Sequence, residues 1–158
     1  MKIFISWSGA RSHALAAALR KWLPLVVHYV EPWLSEADIS AGERWSHVIA
    51  QELESSSFGI VCATPESATS DWVLFETGAL AKSTDSARVV PLLVGLDFAD
   101  ISGPLAQFQA KKANRQGMLD LIRSINRQYV EPIFEDRIDQ LFHALWPQVE
   151  RSLSASLQ

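Results

Sequence analysis

Trp72 and Glu76 stand four residues apart in the segment Ser70-Asp-Trp-Val-Leu-Phe-Glu76. That spacing puts the indole and the carboxylate on one face of a helix, side by side near its start. An aromatic plate beside a carboxylate suits a flat, positively charged ring attached to a sugar. When such a ring departs as a neutral molecule, positive charge develops on the sugar, and a nearby carboxylate stabilises it as in glycoside hydrolysis. Nicotinamide riboside is a group of this kind. The same two residues also have an ordinary explanation. A glutamate in an early helix turn gains from the helix dipole, and a tryptophan at helical spacing more often fills a core. Spacing alone leaves both readings open.

Other chemistries find less support. His13, His28, His47 and His143 are scattered, with no metal-ligand spacing and no serine or cysteine partner in sequence, so no metal site is expected. The single cysteine, Cys62, lies in the apolar run Phe58-Gly-Ile-Val-Cys-Ala and reads as a buried strand residue; one cysteine also rules out an internal disulfide. Neither GxGxxG nor a P-loop pattern occurs, which disfavours a classical dinucleotide cofactor site. The net charge of −4 offers no footprint for a nucleic-acid backbone. The short cluster Lys111, Lys112 and Arg115 reads as a solvated helix start. No stretch approaches the about 20 apolar residues of a membrane span, and residues 1–6 lack the apolar stretch of a signal peptide, so the cytoplasm is the expected compartment.

The elements that must position Trp72 and Glu76 follow from periodicity. Lys2 to Ser6 is a short strand, followed by a helix with Leu15, Ala18, Leu19, Trp22 and Leu23 on its apolar face, ending at Pro24. Val26 to Val30 reads as a second strand and Glu31 to Ile39 as a long polar loop. Ser40-Ala-Gly-Glu43 fits a capping box that opens a helix through Trp45, Val48, Ile49 and Leu53. Phe58 to Thr64 reads as a central strand covered on both faces, and Ser70-Asp71 opens a helix reaching about Lys82. Val89 to Val94 is a fourth strand, in which Pro91 argues for a bulge or a place near the sheet edge. Leu105 to Ala110 supplies a short fifth strand, and Met118, Leu121, Ile122 and Ile125 form a helical stripe. The last stripe, Ile138 to Leu153, is the clearest, with Pro147 expected to kink or divide it.

With nearly half its 158 residues apolar (48%), the chain is the size of one domain. Residues 1–153 are expected to form it, with a helical extension over about 134–153 and a disordered tail at 154–158. Alternating strands and helices argue for a flavodoxin-like three-layer α/β sandwich, a parallel five-stranded sheet in the order 2-1-3-4-5 with helices on both faces. In such sheets a ligand sits beyond the carboxyl ends of the strands where the winding reverses, here between strands one and three. The loops at that point carry Trp7, Ser8, Gly9 and Arg11 from the first side, and Ser70, Asp71, Trp72 and Glu76 from the second. Trp33 and Trp45 flank the loop before the second helix; with Trp7 they raise the aromatic density around the crevice.

Three segments together resemble a TIR (Toll/interleukin-1 receptor) domain. Lys2-Ile-Phe-Ile-Ser-Trp is similar to the family's first-strand box, Asp38-Ile-Ser-Ala-Gly-Glu-Arg-Trp45 to the end of its BB loop, and Ser70-Asp-Trp-Val-Leu-Phe-Glu76 to its tryptophan-to-glutamate motif. They occur in the family's order across residues 1 to about 100; the region after Gly103 follows the pattern less clearly. The resemblance implies a bacterial-type enzyme that cleaves NAD, with NAD as substrate and no cofactor, and Glu76 as the catalytic residue. By the same resemblance Ser6, Trp7 and Ser8 would line the nucleotide pocket, Trp45 would stand near the nicotinamide, and Trp72 would brace Glu76. Trp33 joins the substrate-binding candidates from its loop, and Arg11 and Arg44 are candidates for the diphosphate because they are cations in the two relevant loops.

The implied activity is release of nicotinamide with ADP-ribose or a cyclised form, in an effector of bacterial antiphage immunity or cell death. Assembly through the BB loop, Trp33 to Trp45, would be required, with exposed Trp33 and Leu34 as anchors and a sensor domain or protein as the trigger. A non-enzymatic TIR adaptor is the alternative, and a deoxyribosyltransferase-like nucleoside enzyme is a third reading that rests on fold analogy.

Overall fold

The computed structural model describes residues 1–7, 9–34, 56–66, 88–102, 106 and 108–156. Their sheet has five parallel strands: β1 (Lys2–Ser6), β2 (Glu31–Leu34), β3 (Phe58–Ala63), β4 (Val89–Leu93) and β5 (Lys111–Lys112). The spatial order is β2-β1-β3-β4-β5, the flavodoxin-like order expected. Three helices are described: α1 (Ala10–Val26), α2 (Arg115–Arg127) and α3 (Glu135–Ser156).

Continuous apolar runs make the central strands, because a strand covered on both faces needs apolar side chains in both directions. Every residue of β3 and β4 is buried. Alternation sorts them into two faces. Ile3, Ile5, Phe58, Ile60, Cys62, Val90 and Leu92 join one core cluster with α1, α2 and α3. Phe4, Val61, Ala63, Val89 and Leu93 point the other way and are equally buried. Pro91 sits in the part of β4 that β5 leaves uncovered, since β5 pairs only with Leu92 and Leu93.

The first helix runs further than Pro24 suggests. Its buried stripe Leu15, Leu19, Trp22, Leu23 and Val26 continues across the proline, and Val27 N–H still reaches the Leu23 carbonyl at 2.9 Å. A proline in a helix interior costs about 3 kcal/mol, and burial of Leu23 and Val26 offsets it. The second strand is therefore not Val26 to Val30 but Glu31–Leu34, within the stretch expected as loop. Pro32 is tolerated there because β2 is an edge strand. Trp33 and Leu34 are consequently partly buried strand residues and not exposed loop anchors: Trp33 pairs in register with Phe4 and stacks on it, ring centroids 5.3 Å apart, and Leu34 packs against the core.

At the opposite edge, β5 is Lys111–Lys112, not Leu105 to Ala110, so these lysines do not begin a helix. Charged residues suit an edge strand, whose outer side faces water. Lys112 Nζ lies 2.6 Å from Asp97 Oδ1 and 5.1 Å from the centre of the Phe98 ring. Helix α2 starts just beyond, where Asn114 caps it by accepting from Gly117 N–H at 2.8 Å. A Cβ at Gly117 would overlap the Lys112 carbonyl, so only glycine lets the helix pass this close to β5.

Helix α3 continues unbroken through Pro147 and extends to Ser156, so 154–156 belong to the helix and not to a frayed tail. It packs against α1, where Trp22 Nε1 donates to the Leu145 carbonyl at 2.9 Å and the Trp22 ring meets Phe142 edge-on. The helices expected over 40–53 and 71–82 lie outside the described residues.

Candidate functional site

Strand order reverses between β1 and β3, so their carboxyl ends open on the crevice where open α/β sheets bind ligands. Ser6, the last residue of β1, is fully buried, and Trp7 follows it half-buried. Among the described residues, the Ser6 hydroxyl and the Trp7 indole N–H are buried polar groups without a hydrogen-bond partner. Leaving such groups unpaired costs about 1–3 kcal/mol each, and they persist in folded proteins mainly where a ligand or water completes them. The Trp7 ring is held against the His13 imidazole, centroids 4.3 Å apart.

The chain turns from β1 into α1 at Gly9, whose φ of +91° is a backbone conformation other residues rarely adopt. Gly9, the N-cap of α1, has no side chain to cap the helix, and the first turn holds no acidic residue. One residue into the helix, Arg11 Nη1 reaches Glu66 Oε1 at 3.0 Å, joining the first turn of α1 to the loop after β3. Glu66 has its own backbone N–H and then Arg11 as partners, and these hold its carboxyl below the usual carboxylate range. Beneath this bridge Ser12 Oγ donates to the Cys62 carbonyl at 3.2 Å, a buried tie from α1 to β3. Burial pushes the Cys62 thiol well above its ordinary pKa, so it is inert at neutral pH.

Of the residues expected from sequence, Ser6, Trp7 and Arg11 are brought together at the crevice. Trp33 stands on the neighbouring strand β2. Its ring lies on the edge strand over Phe4, one pleat below the level of Ser6. Ser8, Arg44, Trp45, Trp72 and Glu76 lie outside the described residues. Sequence reasoning missed Glu66 and the packing role of His13. A carboxylate three residues past the end of β3, in the loop that closes the crevice, was the available signal for Glu66.

A cavity of about 470 Å³ lies elsewhere, between the start of α2 and α3, lined by Asn114, Arg115, His143, Trp146, Glu150 and Leu153. Its main cation is engaged within the fold, since Arg115 Nη2 lies 2.6 Å from His143 Nδ1. It adjoins the end of β5, at the opposite edge of the sheet from β2, and among the described residues the buried unpaired side-chain groups, Ser6 Oγ and Trp7 Nε1, are not in its lining. Among the described residues no cluster of three His, Cys, Asp or Glu side chains could hold a metal ion, and no helix is long and apolar enough to cross a membrane.

Comparison with known proteins agrees with this architecture. The family model described as TIR domain matches residues 3–128, so α3 lies beyond the matched region. No curated protein matches the chain. Among solved structures, a metazoan TIR-STING receptor from C. gigas superposes with a TM-score of 0.53 at 24% identity, over 83% of this chain. The chain spans 40% of that receptor chain, and at this identity the likeness is one of fold.

Proposed function

Because this chain belongs to the TIR domain family, with the family model matching residues 3–128, we propose that it is an NAD glycohydrolase with Glu76 as its catalytic residue. The observation that carries the reading is the pair of buried, unpaired groups at the end of β1, the Ser6 hydroxyl and the Trp7 indole N–H. A nucleotide rich in hydroxyls and phosphate oxygens supplies the partners that these groups lack. The motif Ser70-Asp-Trp-Val-Leu-Phe-Glu76 falls in the chain segment between β3 and β4, and in this reading it faces the same crevice.

In the proposed reaction the bond between the ribose C1′ and the nicotinamide nitrogen breaks, and its electron pair leaves with nicotinamide. Glu76 stabilises the positive charge that develops on the ribose. Water then bonds to C1′ and gives up a proton, yielding ADP-ribose; attack by an adenine nitrogen of the same molecule yields the cyclic form. Trp72, Trp45 and Ser8 complete the pocket in this reading, and Arg44 supports the diphosphate. NAD is substrate, and no cofactor takes part. The proposed setting is the cytoplasm, in an effector of bacterial immunity that self-associates through the loop between β2 and Trp45 and answers to a sensor domain or protein.

The test follows nicotinamide release from NAD at high protein concentration with a crowding agent, comparing the wild type with Glu76→Gln. We expect release by the wild type and a loss of at least about 100-fold in the variant, the size associated with removing a principal electrostatic group. Silence from both, in protein shown to be folded and self-associated, would instead favour the non-enzymatic adaptor.

A further inference from the structure

Arg11 in the first turn of α1 and Glu66 in the loop after β3 flank the crevice, and they meet with side chains 34% and 48% exposed. The amino end of α1, where Arg11 stands, favours an anion through the helix dipole, and its first turn holds no acidic residue. The anion that the structure places beside Arg11 is Glu66, with its carboxylate at 3.0 Å. The bridge is not what holds the loops in place. Ser12 Oγ ties α1 to the Cys62 carbonyl in the buried layer beneath, and His13 N–H returns to the Gly9 carbonyl at 2.9 Å. An exposed ion pair shifts an equilibrium by only about fivefold or less, so its loss leaves the fold intact.

From this arrangement we infer that Glu66 is a specificity-determining residue, a resident carboxylate that competes with the diphosphate of an incoming nucleotide for Arg11. The inference rests on the reading of this crevice as an NAD site and adds to it a residue that opposes binding. A diphosphate ligand must displace Glu66 from the guanidinium and also approach its negative charge, whereas an uncharged nucleoside does neither. Glu66 thereby raises the ligand concentration needed for occupancy and selects for ligands whose charge and contacts elsewhere outweigh it.

The experiment titrates ADP-ribose and adenosine into the full chain by calorimetry, for the wild type, Glu66→Gln, Arg11→Ala and the double variant, with circular dichroism to confirm folding. Glu66→Gln is expected to bind ADP-ribose about three- to tenfold tighter and adenosine no differently. The gain should shrink as salt rises from about 50 mM to about 500 mM and should diminish when Arg11 is already alanine. In cleavage assays the same variant should show a lower KM for NAD without a matching change in kcat. Unchanged affinity for ADP-ribose in Glu66→Gln, with the wild type binding it, would overturn the competition while leaving the NAD reading in place. An equal gain for adenosine would also overturn it, because the effect would then be one of shape and not of charge. If no protein binds ADP-ribose, the NAD reading fails, and titration with inorganic pyrophosphate decides the rest. Tighter pyrophosphate binding by Glu66→Gln keeps the competition for Arg11, and equal binding ends it.

Discussion

At the connection between α2 and α3 the buried Asn126 side chain uses every polar atom, whereas at the end of β1 the buried Ser6 hydroxyl and Trp7 indole N–H find no partner among the described residues. Asn126 Oδ1 accepts from the Tyr29 hydroxyl at 2.8 Å and from Ile133 N–H at 2.9 Å, and its Nδ2 donates to the Ile133 carbonyl at 2.7 Å. Around it Tyr29 stacks on Tyr129 at 3.7 Å, and Arg123 grips Asp139 through two nitrogens. The helical end is a closed network that specifies how α2 and α3 meet the sheet. The crevice end is an open one, joined across its mouth by an exposed ion pair. A region that binds something must leave groups for it, and the difference between the two ends separates the residues that stabilise this fold from those available to a ligand.

Three substitutions and titrations test that separation. The largest effect is expected at Gly117, where alanine would gain helix propensity but force its Cβ into the Lys112 carbonyl. Backbone must shift, and urea unfolding should show a loss of about 3 kcal/mol; a stability equal to wild type would mean that the α2–β5 contact is looser than described.

A middle effect is expected from Tyr29. Burial, then the neighbouring Tyr129, raises its pKa from 10.0 to about 12. The folded state therefore holds this proton more tightly than the unfolded chain, and the contribution is fully present below pH 10. Stability should fall as pH rises from about 10 to about 12, by on the order of 2 kcal/mol, and Tyr29→Phe should flatten that part of the profile. An unchanged alkaline profile in the variant would place the titrating group elsewhere.

The smallest stability effect belongs to Ser6→Ala. Removing a buried hydroxyl that has no partner among the described residues should leave stability within about 1 kcal/mol of wild type, or raise it. ADP-ribose affinity should nevertheless fall about fivefold, as expected for one lost hydrogen bond. A large loss of stability with no change in affinity would show that Ser6 belongs to the closed network after all.

The parts of the fold legible in sequence were those whose local chemistry and tertiary environment agree. The strands β1, β3 and β4 are short, apolar and β-branched, and nothing in the chain competes with that reading. Over Val26 to Val30 the local signal of Pro24, a helix breaker, is outweighed by the apolar stripe that continues to Val26. Lys111–Lys112 was illegible as β5 because two charged residues form a strand only where an existing edge, Leu92 and Leu93, accepts them. The site divides the same way. Ser6, Trp7 and Arg11 could be placed together because strand order alone sets their loop at the winding reversal. The bridge from Arg11 to Glu66 spans 55 positions and depends on the loop after β3 turning toward α1, which no local pattern encodes.

The central position of Cys62 has a practical consequence. It is the chain's single cysteine, fully buried in β3, with its thiol held protonated by the surrounding apolar core. A water-soluble disulfide reagent can reach it only when the helices packed over β3 come away, so its labelling rate clocks that opening. Loosening confined to the crevice mouth leaves that clock untouched.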